Sequence, residues 1–224
     1  MVARKPLQST LADIEDAIVK QSERIEVMVV SAYQGLQDRC LGTAESIFSM
    51  EEEINREEVA IEEKCLSVLA LQQPVASDLR RTAAALKINV DLERIADLAL
   101  NLAERTEAVI AYPRIVIPKQ LSQMVLFALE MVRDARKSFL TSDTELAQEV
   151  CRRDSELDEM NRSVIAELIQ EMESDPINVA GYLHVFSASR IVERIGDHAT
   201  NIAEDVEYVV DGEIHRHREV ALPE

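Results

Sequence analysis

Apolar residues recur along this chain at alternating spacings of three and four. Two stretches show it best. One runs through Ala85, Ile88, Leu92, Ile95, Ala99 and Leu102, the other through Ala188, Val192, Ile195, Ala199, Ile202, Val206 and Val209. This alternation is the seam of a left-handed helix bundle, and it is too long for strands. The same period predicts helices over about 7–38, 44–71, 75–110, 119–140, 144–173 and 178–210. Breaks in the period carry recognisable stop and start chemistry. Gly42-Thr43 interrupts the first pair, and Gln73-Pro74 ends the second helix because Pro cannot continue one. Pro113 and Pro118 bracket Ile115, Val116 and Ile117, so that segment cannot be helix interior. Thr141-Ser142-Asp143 offers a stop and then an N-cap, Ser174-Asp175-Pro176 a turn, and Gly212 a C-terminal stop, beyond which the tail is expected to be loosely ordered.

The chain also repeats itself. Residues 92–104 read LERIADLALNLAE and residues 192–204 read VERIGDHATNIAE, with 8 of 13 positions identical. One structural unit has been used twice. The fold class expected is therefore all-α: two tandem three-helix bundles, each up-down-up with short turns, related by a rough two-fold. The Pro-containing segment sets the expected domains at 1–112 and 113–224. The two copies differ by about one helical turn at their second corners, since Ile54 to Arg94 spans 40 residues and Leu157 to Arg194 spans 37.

Composition supports helices: 5 Gly and 6 Pro leave few turns, and 47% apolar residues suffice for a core. The net charge of −18, from 42 acidic against 24 basic residues, argues against nucleic acid and against an anionic membrane surface as partners. No apolar run is long enough to span a membrane, so no direct membrane insertion is expected, and the N-terminus lacks the apolar core of a secretory signal. Cys40, Cys65 and Cys151 have neither disulfide nor zinc-site spacing and are expected to be buried small residues of a reducing compartment. A cytoplasmic location follows as an expectation.

The repeated segment keeps a polar ladder beside its apolar seam: Glu93, Asp97 and Asn101 in the first copy, Glu193, Asp197 and Asn201 in the second. A step of four residues turns only about 40° around a helix, so each triplet is expected to form one stripe. Paired carboxylates at that spacing offer hard oxygen ligands to a cation. The neighbouring helix supplies the remaining candidates, Asp154 and Asp158 in the second copy, Glu51 and Asn55 in the first, with Glu58 one turn further on. Manganese, magnesium and calcium suit all-oxygen sites, and iron is also common with carboxylates. The competing reading is a solvated acidic face paired to Arg94 and Arg194, which contributes little. Its functional counterpart is a helical scaffold protein. A third reading is a metal-dependent hydrolase in which Glu193 and Asp197 activate water.

No Glu-x-x-His occurs. The residues three before His184, His198, His215 and His217 are Gly181, Ile195, Gly212 and Ile214, which sets aside a ferritin-like di-iron bundle. His198 is expected at a boundary or surface, since its counterpart is Leu98, and the tail pair His215 and His217 as weak metal ligands. No catalytic residues are identified: there is no G-x-S-x-G, Gly-rich phosphate loop or Walker sequence.

The stretch QQPVASDLRRTAAALKINVDLERIADLALNLAE (72–104), with HVFSASRIVERIGDHATNIAEDVEYVVDGEI (184–214), resembles the PhoU family, and the resemblance covers nearly the whole chain. It implies two three-helix bundles with metal clusters, iron or zinc, on E/D-x-x-x-D motifs, which here fall on Glu93/Asp97 and Glu193/Asp197. Asp154 and Asp158 fit the family's acidic second helix. Glu51 and Asn55 depart from it, as does Cys40 where the second copy has Asp143, which implies a first site that holds fewer metals or holds them more weakly. The resemblance further implies a regulator without turnover. It would link a phosphate ABC transporter, through its ATPase, to a sensor histidine kinase, hold the phosphate-starvation response off, and act as a homodimer.

Overall fold

The computed structural model describes residues 7–212. Six long helices account for nearly all of them: α1 Leu7–Asp38, α2 Thr43–Gln72, α3 Ala76–Ile110, α4 Lys119–Thr141, α5 Thr144–Ser174 and α6 Val179–Asp211. Among the described residues there is no strand, and no helix is long and apolar enough to cross a membrane. Helix ends fall within two residues of the breaks read from sequence. Gly42 enters α2 at φ 82° and Gly212 closes α6 at φ 75°, left-handed conformations that glycine adopts without a Cβ clash. The Asp143 carboxylate accepts from the Leu146 N–H at 3.0 Å, the N-cap expected of it. Pro176 begins a single 3₁₀ turn, Pro176–Asn178, so α6 starts one residue later than the period predicts.

The first three helices form one bundle and the last three another. The interface between α3 and α6 fuses them into one continuous core. Every seam residue named from the sequence is buried there. The two helices run antiparallel. Arg80 Nε donates to the Val209 carbonyl at 2.9 Å at one end, and the ring of Tyr112, just past α3, lies against Gly181 at the other. A Cβ on Gly181 would come within 2.6 Å of that ring, so the start of α6 must be glycine for the linker to lie as it does. Arg39, in the α1–α2 turn, pins the same linker by donating to the carbonyls of Pro113 (2.8 Å) and Ile115 (2.6 Å). Arginines also stitch the bundles side by side, with Arg133 and Arg136 of α4 on Glu26 of α1.

One expectation is corrected. Only Cys65 is buried; Cys40 is exposed in the α1–α2 turn and Cys151 is partly exposed on α5. Burial pushes the thiols of Cys65 and Cys151 up to about 11 and about 12, so neither is a thiolate at neutral pH. His198 stands at a boundary as expected, with 17% of its side chain exposed. Its Nδ1 lies 2.8 Å from Asp91 Oδ1 on α3, inside the α3–α6 interface, where burial leaves a hydrogen bond to a carboxylate as its satisfaction.

Ile195 is fully buried at the centre of α6. Ile195→Asp places an unpaired charge there and is expected to destabilise by about 3–5 kcal/mol. Because α3 and α6 share one core, both bundles should lose helicity together. A denaturant melt monitored by circular dichroism checks this, and a transition like the parent's would contradict the seam.

Candidate metal centre

α2 and α5 are the outer helices of their bundles. Each lays a narrow apolar stripe on its neighbour, Ile47, Ile54 and Ile61 on α2, Val150, Leu157 and Val164 on α5. Residues flanking a stripe at the helical period must face the flank of the partner's stripe. That brings Glu51 and Glu58 of α2 towards Glu93 and Asp97 of α3, and Asp154 and Asp158 of α5 towards Glu193 and Asp197 of α6. Because α3 and α6 are antiparallel and pack near Asp91 and His198, the two groups sit at the same level of the molecule, on opposite flanks of the central pair.

The electrostatics run in the same direction. Burial pushes the Glu93 carboxyl above the usual carboxylate range; the charges of Asp97, Glu58 and Glu51 add to this and Arg94 opposes it. In the second bundle, burial followed by the charges of Asp197 and Asp158 pushes Asp154 up to about 6. Glu193 is raised by burial, with Asp158 and Asp154 adding and Arg190 opposing. Asp197 is raised by burial and then by Glu193 and Asp158, against His198 and Arg190. Like charges gathered beside a core are costly unless a proton or a cation relieves them.

The hydrogen bonds leave acceptors unmet. Glu193 is 9% exposed; its Oε1 accepts from Arg190 at 2.9 Å, and its Oε2 is buried with no partner. In the first bundle the Asn55 amide nitrogen donates to Glu51 Oε1, leaving Asn55 Oδ1 buried and unpartnered. A buried acceptor oxygen without a donor is what a cation would satisfy, and the donor set, carboxylate with amide, suits a hard ion. Among the described residues no three His, Cys, Asp or Glu side chains already converge as a ligand set, so holding an ion requires these carboxylates to turn inward together.

Part of the solvated-face reading also holds. Arg94 contacts Asp97 at 3.1 Å and Glu93 at 3.5 Å, and Arg162 contacts Asp158 at 3.6 Å, all with exposed guanidiniums. Such pairs contribute little to stability. In the second copy it is Arg190, and not Arg194, that pairs with the ladder, at 2.9 Å from Glu193.

The two asparagines of the ladder lie elsewhere. Asn101 is exposed and its amide turns back to the Asp97 carbonyl at 2.8 Å. Asn201 reaches across to Asp91 Oδ1 at 3.2 Å. Eight residues accumulate roughly 80° of drift around a helix, enough to carry the third rung off the stripe. His215 and His217 lie outside the described residues. Sequence reasoning missed the Asp91–His198–Asn201 cluster. Its signal was a paired departure from the repeat: Asp91 and His198 stand where the other copy has Ile191 and Leu98.

Comparison with known proteins agrees with this architecture. The PhoU domain profile matches twice, over residues 18–106 and 121–206. The chain is 32% identical over 209 residues to a phosphate-specific transport system accessory protein PhoU homolog of Deinococcus radiodurans, covering 93% of this chain and 98% of that one. A homolog with the same description from Pseudomonas aeruginosa is 34% identical, over 92% of this chain and 86% of its own. The crystal structure of PhoU from Pseudomonas aeruginosa superposes with a TM-score of 0.85 at 32% identity, covering 93% of this chain and all (100%) of that one. The phosphate transport system regulatory protein PhoU from Streptococcus pneumoniae, at 24% identity and a TM-score of 0.86 over 93% and 99% of the two chains, shares the fold. With the domain matched in both halves and relatives aligned along nearly the whole length, the chain belongs to the PhoU domain family.

Proposed function

We propose that this chain is a cytoplasmic, non-enzymatic accessory regulator of phosphate transport, and that it restrains phosphate uptake and the phosphate-starvation response. The observation that carries this is the relation to phosphate-specific transport system accessory proteins along nearly the full length of both chains. The partners it would meet are the ATPase of a phosphate ABC transporter and a sensor histidine kinase, with a second copy of the chain as a further partner. A deletion strain grown in ample phosphate should take up more phosphate and express starvation-induced genes, and the chain supplied in trans should reverse both. Unchanged uptake and expression would overturn the proposal.

The regulator would hold metal ions, iron or zinc first and manganese, magnesium or calcium as alternatives, through Glu51, Glu93 and Asp97 in the first bundle and Asp154, Asp158, Glu193 and Asp197 in the second. Support comes from the facing carboxylates and the unmet Glu193 oxygen. A bound ion would supply charge neutralisation and a bridge between neighbouring helices. Asp197→Ala is expected to lower metal content by about half while leaving helicity intact, because Asp197 flanks the seam without forming it; elemental analysis beside circular dichroism reads both. Metal content equal to the parent's would remove Asp197 from the site.

The metal-free protein should respond to pH in a defined direction. Asp154 titrates at about 6 in the fold against 3.8 as its ordinary value, so the folded state binds the proton more tightly. Stability from this group is therefore gained as pH falls through 6 towards 4 and lost as pH rises through 6. In chelator, the melting temperature should drop between pH 5 and pH 7, and Asp154→Asn, which mimics the protonated form, should drop less. An equal drop in both proteins would contradict the assignment.

A further inference from the structure

The outer face of α2 carries a second apolar stripe. Phe48, Val59 and Leu66 are 51%, 50% and 49% exposed. At about 100° of rotation per residue they fall within roughly 20° of one line, which runs about 27 Å along the helix. This line is separate from the stripe that packs α2 into its bundle, Ile47, Ile54 and Ile61. Apolar residues scattered singly over a surface need no explanation, but a line of them along one helix marks a contact.

Val90 of α3 joins this surface. Asn89 donates to the Glu58 carbonyl at 2.9 Å, which puts Val59 and Val90 at one level of neighbouring helices. Between Asn89, turned to α2, and Asp91, turned to His198 of α6, Val90 points outward and is 48% exposed. The repeat shows that the fold does not require these apolar residues. α5 and α6 do the same structural work with Cys151, Arg162 and Arg190 where the first copy has Phe48, Val59 and Val90. Arg162 and Arg190 are spent on ion pairs with Asp158 and Glu193. Only Leu66 keeps a large apolar counterpart, Ile169.

The charge beside the line decides what kind of partner fits. Within roughly 60° on either side, the charged positions of α2 are Glu45, Glu51, Glu52, Glu62 and Glu63, all acidic, and Arg56 lies farther round. The second copy has Ser155, Ile165 and Ala166 in place of Glu52, Glu62 and Glu63. A second chain of the same sequence would bring acid against acid along this line, and an anionic membrane or a nucleic acid would be repelled as well. The anchor spacings, eleven residues from Phe48 to Val59 and seven from there to Leu66, are about three turns and two, which a helix laid alongside can meet. We propose that the outer face of α2, with Val90 of α3, is a docking surface for a basic amphipathic helix of another protein. The apolar residues of that helix meet Phe48, Val59, Leu66 and Val90, and its Lys and Arg side chains meet Glu52, Glu62 and Glu63. The surface belongs to the first bundle alone, so the two halves of the repeat differ in what they bind. It needs neither a bound ion nor a phosphate transporter, and its failure would leave the function proposed above standing.

The test uses the full chain and a dye-labelled model helix long enough to span the line, about 18 residues. The peptide carries leucine along one face and lysine on both flanks, and a second peptide has glutamate in place of the lysine. Fluorescence anisotropy reads affinity, and circular dichroism confirms the fold. The lysine peptide should bind, more weakly as salt rises, and the glutamate peptide should not. Val59→Arg, which installs the residue of the second copy, and Glu62→Lys/Glu63→Lys should each weaken the lysine peptide by about tenfold or more. Ile169→Arg, on α5, should leave the affinity at the parent's value. All four positions are exposed, so the variants should keep the parent's helicity. No binding of the lysine peptide, equal binding of the two peptides, or α2 variants that bind as the parent does would each overturn the proposal. Ile169→Arg as damaging as Val59→Arg would do the same. So would sedimentation that finds the parent a dimer and Val59→Arg a monomer, because a second copy would then fill the surface.

Discussion

The antiparallel packing of α3 on α6 is the constraint from which the rest of this structure follows. Each of these helices is buried along most of its length, and many of the buried positions are small: Ala85, Ala96, Ala99 and Ala103 on α3, Ala188, Gly196, Ala199 and Ala203 on α6. Gly196 serves the other side of α6, since a Cβ there would run into Leu157 of α5. Burial of this seam, at roughly 25 cal/mol per Å² of apolar surface, supplies the non-directional part of the attraction. It does not select a register, because a seam of Ala, Ile, Leu and Val tolerates sliding. Directional groups do that. His198 and Asn201 both bond Asp91, and Lys87 meets Asp205, itself 2% exposed, at 2.8 Å. Shifting α6 by one turn would strand these groups in an apolar interface, where an unpaired polar group costs about 1–3 kcal/mol.

That register fixes where the acidic residues lie. With α3 and α6 locked near Asp91 and His198, the carboxylates at 93 and 97 and those at 193 and 197 come to the same height on opposite flanks, and the outer helices complete each group. The groups differ from the many surface ion pairs of the molecule. Arg152 with Glu149 or Arg162 with Glu159 are exposed pairs within one helix that water screens. At the ladders the acidic residues outnumber their basic neighbours and sit against the core, so repulsion is felt at lower effective dielectric. Glu93, Asp154, Glu193 and Asp197 are pushed above the usual carboxylate range there, the direction in which a proton or a cation would give relief.

Helices were legible in the sequence because every one of them is amphipathic over more than twenty residues and ends on recognisable chemistry: Gly42, Gln73-Pro74, Asp143 and Gly212 each stop or cap where expected. The seam was legible for the same reason. What periodicity could not show is which helices face each other between bundles. The antiparallel run of α3 and α6 depends on long-range contacts such as Arg80 with Val209, which leave no local pattern. Asn101 and Asn201 were placed on the stripe because a four-residue step seems small; after two steps the drift has carried Asn201 to a different neighbour. His198 stands at the boundary expected of it, but its partner was not foreseen: the departure from Leu98, matched by Asp91 for Ile191, marks a polar contact between α3 and α6. Of the cysteines, position in the helical period rather than residue type decided burial: Cys65 falls on the stripe of α2, and Cys40 falls in a turn.

The distribution of burial says where occupancy of the ladders would act. α2 buries six side chains against fourteen on α3, and α5 six against sixteen on α6. The central helices are held by apolar contact on several sides, and a change of charge beside them moves little. The outer helices depend on one narrow stripe each, and their polar flanks face the ladders. Without relief the like charges across each flank push α2 from α3 and α5 from α6. A proton would remove that repulsion, and a cation bound as proposed would turn the same geometry into attraction. The effect therefore falls on the attachment of α2 and α5, whose outward faces carry exposed Phe48, Val59 and Leu66 on one and Ile169 on the other. The regulator proposed above would need a state written inside and read outside, and in this fold the outer helices are the elements that both touch the ladders and present a surface.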